Sequence, residues 1–95
     1  MAPAELEAIL LTHPSVADAA VIPCPDDEAG ELPKAFIVLR SAVEGEEIID
    51  FVADRVAPHK KIRFVEFIDQ IPKSASGKIL RRVLIERERA GRASQ

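Results

Sequence analysis

The sequence predicts a small α+β domain in which about three helices pack on a roughly three-stranded, mainly antiparallel sheet. Three observations support this class. Short apolar runs alternate with stretches of helical periodicity in the order α-β-β-α-β-α. The first two runs are joined by a short turn without a helix, which favours an antiparallel pair. The 95 residues, 47% of them hydrophobic, suffice for one small core.

The first half of the chain is predicted to form one helix and two strands. The helix begins at Pro3, a residue suited to the first helical position, and is stopped by His13-Pro14. The first strand covers Val16 to Ile22 and is ended by the prolines that follow it. An acidic turn, Asp26 to Gly30, then leads to a second strand, Lys34 to Arg40. This strand is apolar on both faces, so we expect it in the centre of the sheet.

The second half is predicted to form two helices and one strand. A helix from Glu46 to Val56 carries one apolar stripe, and the third strand covers Arg63 to Ile68. A loop from Gln70 to Gly77 precedes the last helix, which covers Lys78 to about Ala90. Gly91 is expected to supply the C-terminal cap of that helix.

These boundaries predict one domain over residues 1–91 and a frayed tail over residues 92–95. The chain begins almost directly on its first helix. We therefore expect it to be cut from a longer protein, or to follow directly on another domain.

Composition and charge narrow the class of protein. A lone cysteine cannot form an internal disulfide, and the sequence has no basic-then-apolar start and no long apolar run. We therefore expect a cytoplasmic chain without a membrane span. Residues 1–50 carry a net charge of −9 and residues 51–95 one of +6. Because the acidic half would repel a polyanion, a small anionic ligand is favoured over nucleic acid. The four phenylalanines are interpreted as core residues and not as a platform for stacking bases.

The stretch Pro72-Lys73-Ser74-Ala75-Ser76-Gly77-Lys78-Ile79-Leu80-Arg81 carries the clearest functional signal. A small Ser/Gly loop is predicted to deliver Lys78 to the start of a helix. There, unpaired backbone N–H groups, Arg81 and Arg82 add positive potential that suits an anion. The stretch is not a P-loop, because it lacks the first glycine and has Ile79 where Ser or Thr would bind magnesium. From the residues alone a purely structural loop, with Ser76 as helix cap and a solvated Lys78, stays open.

Five blocks in order, spread over nearly the whole chain, resemble one family: the C-terminal domain of acyl-CoA synthetases, 4-coumarate–CoA ligases and firefly luciferase. The blocks are PAELE (3–7), HPSVADAAV (13–21), PDDEAGELPKAF (25–36), APHKK (57–61) and IPKSASGKILRR (71–82). The first and last blocks are similar to those of the CoA ligases. Peptide-synthetase adenylation domains usually end the loop with Val-Asp-Arg.

The resemblance implies a two-step ligase that uses ATP, Mg²⁺ and CoA. A carboxylic acid first forms an acyl-adenylate, and the CoA thiol then displaces AMP. In this family the small C-terminal domain is a lid that rotates between the steps, and Lys78 matches its adenylation lysine. Ser74, Ser76 and Gly77 match the loop around that lysine. The implied partner is a large N-terminal adenylation domain, without which we expect this chain to bind no cofactor and to be inactive.

Smaller features give weaker expectations. The basic residues His59-Lys60-Lys61 and Arg63 are candidates for contacts with the CoA phosphates, and a solvated basic turn is the alternative. No group of residues has the spacing of metal ligands, so no metal site is expected. A lysine acetyltransferase acting on Lys78 would erase its charge. The alternative to the ligase lid is a stand-alone, non-catalytic anion- or protein-binding module of the same fold.

Overall fold

The computed structural model describes residues 3–26, 30–56 and 61–93, and its elements follow the predicted order. The small α+β class and the order α-β-β-α-β-α are confirmed. The elements are α1 (Pro3–Leu11), β1 (Val16–Asp26), β2 (Gly30–Leu39), α2 (Gly45–Ala53), β3 (Phe64–Phe67) and α3 (Arg81–Ala93).

The three strands form one sheet in the order β1-β2-β3, so the second strand is central as predicted. β1 and β2 are antiparallel from the pair Val16–Leu39 to the pair Asp26–Gly30. β3 instead runs parallel to β2, with Lys34 opposite Phe64. The sheet is therefore mixed, with the antiparallel pairing the longer of the two. A parallel neighbour requires a crossover, and α2 lies in that connection.

β1 continues to Asp26, so the predicted end of this strand at Ile22 is wrong. Pro23 lies opposite Pro33 in the register. The Pro33 carbonyl accepts a hydrogen bond from the Arg63 N–H at 3.1 Å, so the peptide groups at Pro33 face β3 and not β1. Neither proline therefore removes a bond from the ladder between β1 and β2, and an edge strand tolerates proline at such a position.

The helices pack on both faces of the sheet, because alternate strand residues point to opposite sides. One face carries α1 and α2, and its core, called the first core here, contains Leu10, Ile37 and Ile48, all fully buried. The other face carries α3 and the segment before it, and its core, the second core, contains Phe36 and Leu84. α3 and the loop that precedes it are thus positioned by a core of their own.

The boundaries of the last two helices differ from the predictions. α2 ends at Ala53 and not at Val56, because the next two amides bond to the Asp50 and Val52 carbonyls and close the last turn. α3 begins at Arg81, three residues later than predicted. It also continues through Gly91 to Ala93, so the predicted cap at Gly91 is wrong. Residues 94 and 95 of the predicted tail lie outside the described residues.

The interpretation of the phenylalanines as core holds for only half of them. Phe36 is fully buried and Phe51 is partly buried against the first core. Phe64 and Phe67 are 39% and 41% exposed, because they lie on β3 at the edge of the sheet. In the part of the chain that the structure describes, no helix is both long and apolar enough to cross a membrane.

Candidate functional site

The lysine loop, defined here as Lys73–Ile79, is a tight hairpin. Lys73 and Ile79 pair as an antiparallel bridge, and the Ser74 N–H donates to the Lys78 carbonyl at 2.9 Å. The Gly77 N–H donates to the Ser74 carbonyl at 2.9 Å and closes the turn. Gly77 has φ +86°, which residues with a Cβ adopt at a cost, so glycine suits this position.

The serine side chains of the loop bond within it and do not cap α3. Ser74 Oγ accepts the Lys78 N–H at 3.2 Å and lies 3.0 Å from Ser76 Oγ. The open expectation that Ser76 caps the last helix is therefore wrong, since that helix begins five residues later. These bonds fix the backbone around Lys78 and leave its side chain out of the hairpin's own hydrogen bonding.

Lys78 is exposed, and among the described residues no carboxylate pairs with its ammonium group. The predicted convergence of Lys78 with the first turn of a helix is wrong. The Leu80 N–H bonds to the Pro72 carbonyl at 2.9 Å, which keeps the chain in the hairpin until Arg81. The lysine loop thus presents Lys78 as an exposed ammonium group that has no carboxylate partner in the part of the chain that the structure describes.

The base of the lysine loop is tied to the rest of the domain at both ends. Lys73 Nζ lies 2.6 Å from Asp18 on β1. Arg81, just after the loop, pairs with Glu7 on α1 at 2.5 Å. Arg81 therefore neutralises a buried carboxylate and is not available as the anion-attracting group that the sequence predicted. Ile71, just before the loop, and Ile79, at its end, also pack into the second core.

Of the candidate CoA contacts, Arg63 is the one whose position relative to the lysine loop can be stated. His59 and Lys60 lie outside the described residues, Lys61 is partly buried, and Arg63 is exposed. Arg63 bonds to Pro33, whereas Asp18, which holds the loop, lies opposite Val38. Five residues of strand separate Pro33 from Val38, or roughly 17 Å along the sheet. A contact of Arg63 and of Lys78 with one small anion is therefore not supported.

A charged cluster that the sequence analysis missed lies between β2, β3 and α3. Lys34 Nζ is 2.5 Å from Glu88 and 3.1 Å from Glu66, and Glu66 also pairs with Arg87 at 3.0 Å. Burial acts to lower the pKa of Lys34, but the hydrogen bonds to Glu88 and Glu66 outweigh it and leave that pKa above its ordinary value. In the sequence, the position of Lys34 in an apolar strand could have indicated this cluster, because lysines are seldom buried unless they are paired. The cluster fastens α3 to the sheet.

His13 is buried beside α2. Its Nε2 lies 3.0 Å from Glu47, and its Nδ1 accepts the Ser15 N–H at 3.0 Å. The ring also meets Phe51 edge-on at 4.7 Å. Both ring nitrogens and the ring itself thus have partners within the fold, so we interpret His13 as a structural residue. Within residues 3–26, 30–56 and 61–93, no group of three or more His, Cys, Asp or Glu side chains is arranged to hold a metal ion.

Comparison with known proteins gives one consistent family. Residues 5–78 match the model of the AMP-binding enzyme C-terminal domain, and Lys78 is the last residue matched. The 4-coumarate–CoA ligase-like 1 protein of Arabidopsis thaliana is 60% identical over 86 residues, which are 88% of this chain and 16% of that protein.

Solved structures agree with that family. The fatty acyl CoA synthetase of Mycobacterium tuberculosis has a TM-score of 0.87 at 36% identity, covering 94% of this chain and 18% of that one. The o-succinylbenzoate CoA synthetase of Bacillus subtilis, solved with the acyl-adenylate intermediate OSB-AMP, has a TM-score of 0.84 at 38% identity. That match covers 88% of this chain and 17% of the synthetase. The chain thus spans less than a fifth of the length of each of these three proteins.

Proposed function

Because this chain belongs to the AMP-binding enzyme C-terminal domain family, we propose that it is the lid of an ATP-dependent acyl- or aryl-CoA ligase. The resemblance expected from the five sequence blocks is confirmed by the family match and by the CoA ligase relatives. The activity of the whole enzyme is part of the proposal, since this chain covers 16% of such a relative.

The observation that carries the proposal is the exposed Lys78 on a tight, anchored hairpin. In the first half-reaction a carboxylate attacks the α-phosphate of ATP, and pyrophosphate leaves. Two anions must approach each other, and negative charge builds up around phosphorus. An ammonium group held between them lowers this barrier, and it is most effective where water is excluded. A lysine suits the task because it is a compact charge on a flexible stem.

We propose that Lys78 supplies this charge while the lid is closed and withdraws it for the second half-reaction. Ser74, Ser76 and Gly77 keep the hairpin narrow enough to enter a cleft. The N-terminal adenylation domain would hold the acid, ATP and CoA, and the chain alone would be inactive. ATP is expected to bring Mg²⁺ with it. The described residues contain no cluster of His, Cys, Asp or Glu side chains that could hold a metal ion, so we assign the Mg²⁺ no ligand in this chain.

Joining this chain to the adenylation domain of a related CoA ligase tests the proposal. Carboxylate-dependent ATP–pyrophosphate exchange is measured for the parent chimera, Lys78→Ala and Arg89→Ala. Arg89 is an exposed cation on α3, so its loss is the matched control. We expect Lys78→Ala to lose roughly 10²–10³-fold in exchange, as when one transition-state donor is removed. Folded chimeras with equal, feeble exchange would instead favour a non-catalytic binding module.

A further inference from the structure

We propose that Glu7 is a positioning residue for adenylation, acting through Arg81 to set where the lysine loop holds Lys78. This inference rests on the proposed function, because it assumes that Lys78 serves the adenylation step. Glu7 lies on α1, and its pairing with Arg81 joins residues 74 positions apart.

The Glu7 carboxylate is buried, with 6% of the residue exposed, and both of its oxygens are engaged. Oε2 accepts the Val21 N–H at 2.8 Å, and Oε1 accepts a hydrogen bond from Arg81 at 2.5 Å. Val21 lies on β1, which is an edge strand. Arg81 is the first residue of α3, so regular secondary structure holds both partners of Glu7. The carboxylate therefore connects α1, the outer edge of the sheet and the start of α3.

Arg81 is the residue through which this anchor reaches the loop. It is the first residue of α3, and the preceding residue, Leu80, bonds to Pro72 on the other arm of the hairpin. The helix dipole disfavours a cation at a helix start, and the nearby Glu7 carboxylate offsets that cost for the Arg81 guanidinium. Among the described residues, Arg81 Nε is buried without a hydrogen-bond partner, and the guanidinium is held by its contact with Glu7.

The second tie of the loop is weaker. The Lys73–Asp18 pair is 2.6 Å long and its side chains are 40% and 27% exposed, whereas in the Arg81–Glu7 pair the cation is 36% and the carboxylate only 8% exposed. Exposed ion pairs contribute little, because water and salt screen them. The pair with the buried Glu7 carboxylate is thus the less screened of the two ion pairs at the base of the lysine loop.

The position of Lys78 matters for one half-reaction only. A charge placed about 1 Å from its productive position costs on the order of 10²-fold in rate. If Lys78 acts in adenylation, loosening its hairpin lowers adenylation and spares the transfer of a pre-made acyl-adenylate to CoA. A general loss of stability would lower both.

The test uses the ligase chimera with Glu7→Gln and, as matched control, Glu66→Gln. Glu66 also pairs with a cation of α3, Arg87, but its partner lies six residues beyond the start of the helix. We expect Glu7→Gln to lower ATP–pyrophosphate exchange roughly 10–100-fold, and Glu66→Gln less than about twofold. Both should leave thioester formation from acyl-adenylate unchanged. Equal losses in the two variants, or in the two half-reactions, would overturn the proposal.

Combination with Lys78→Ala separates positioning from stability. If Glu7 acts only through Lys78, Glu7→Gln costs nothing further in the Lys78→Ala background, since neighbouring residues in one pathway are not additive. A loss that persists there would show a structural role and would overturn the proposal. Should Glu7→Gln fail to fold, Arg81→Gln breaks the same pair from its more exposed side.

Amide NMR of this chain distinguishes failure of the inference from failure of the proposed function. Glu7→Gln should speed hydrogen exchange at Val21 and shift the amide signals of Gly77 and Leu80. Glu66→Gln should leave all three unchanged. If Glu7→Gln leaves the amide signals of the hairpin unchanged, the inference is overturned, even where Lys78→Ala abolishes ATP–pyrophosphate exchange. A disturbed hairpin with a harmless Lys78→Ala would refute the proposed function, and the positioning role with it.

Discussion

Two glycines that differ only in backbone conformation give a sharp test of the hairpin. Gly77 has φ +86°, whereas Gly91 lies inside α3 and is not among the positive-φ residues. At both positions an added methyl group would meet nothing within 4 Å. Substitution by alanine therefore probes the backbone alone, with no change in packing at either site.

The expected changes have opposite signs. At Gly77, the left-handed conformation costs an alanine roughly 1–2 kcal/mol. The loss of unfolded-state freedom returns about 0.4–1 kcal/mol. The net destabilisation is about 0.5–1 kcal/mol, or a Tm lower by about 2–8 °C for a domain of this size. At Gly91, alanine is the better helix former by up to about 1 kcal/mol, so the Tm should rise.

Thermal and urea unfolding followed by circular dichroism measures both variants. A Gly77→Ala protein at least as stable as the parent would refute the strained turn. A Gly91→Ala protein that is clearly destabilised would refute the continuation of α3 through this residue.

Three further predictions concern packing and lysine chemistry. Leu84 is 1% exposed in the second core, so Leu84→Ala should cost about 2–5 kcal/mol in urea unfolding, and a change below 1 kcal/mol would contradict this packing. Lys34 has a raised pKa, so its contribution to stability is fully present below its unfolded pKa of about 10.4 and is lost as the pH rises through the higher folded value. The free energy of unfolding should therefore fall above about pH 10.4 in the parent and less steeply in Lys34→Met, and parallel curves would contradict the pairing. Limited amine acetylation followed by mass spectrometry should modify exposed Lys78 before Lys34, which is partly buried and paired with Glu88, and the reverse order would contradict both environments.

The order of elements could be predicted because each depends on a local pattern. The apolar run at Lys34–Arg40 indicated a central strand, and the short turn before it indicated an antiparallel pair; both are confirmed. The parallel pairing of β3 with β2 depends instead on how the connection through α2 crosses the sheet. No pattern within β3 itself distinguishes the two directions.

The errors in element boundaries have non-local causes. β1 extends through Pro23 because the register places this residue opposite a second proline, and such a pairing is invisible in either segment alone. α3 starts late because the Leu80 N–H donates to the Pro72 carbonyl and the Ser74 N–H donates to the Lys78 carbonyl, which holds Lys73 and Ile79 opposite each other in a bridge. In each case, pairing with a distant segment of the chain decides where the strand ends or the helix begins.

Within the candidate site, the sequence predicted a small loop that carries Lys78, but neither the hairpin form of that loop nor the contacts that hold it. Arg81 was interpreted as part of an anion-attracting start of a helix, whereas its partner is Glu7. Spacing along the chain carries no information about a contact between α1 and α3. Basic residues near a motif are therefore weak evidence for a ligand until their partners are known.

The effect of Lys78→Ala on adenylation, compared with its effect on thioester formation, tests the central proposal most directly. In the ligase chimera, adenylation is measured by ATP–pyrophosphate exchange and thioester formation is measured from pre-made acyl-adenylate and CoA. We expect adenylation to fall roughly 10²–10³-fold while thioester formation stays within about twofold of the parent. An equal loss in both half-reactions, or no loss in either, would contradict the role of Lys78 as an adenylation lysine.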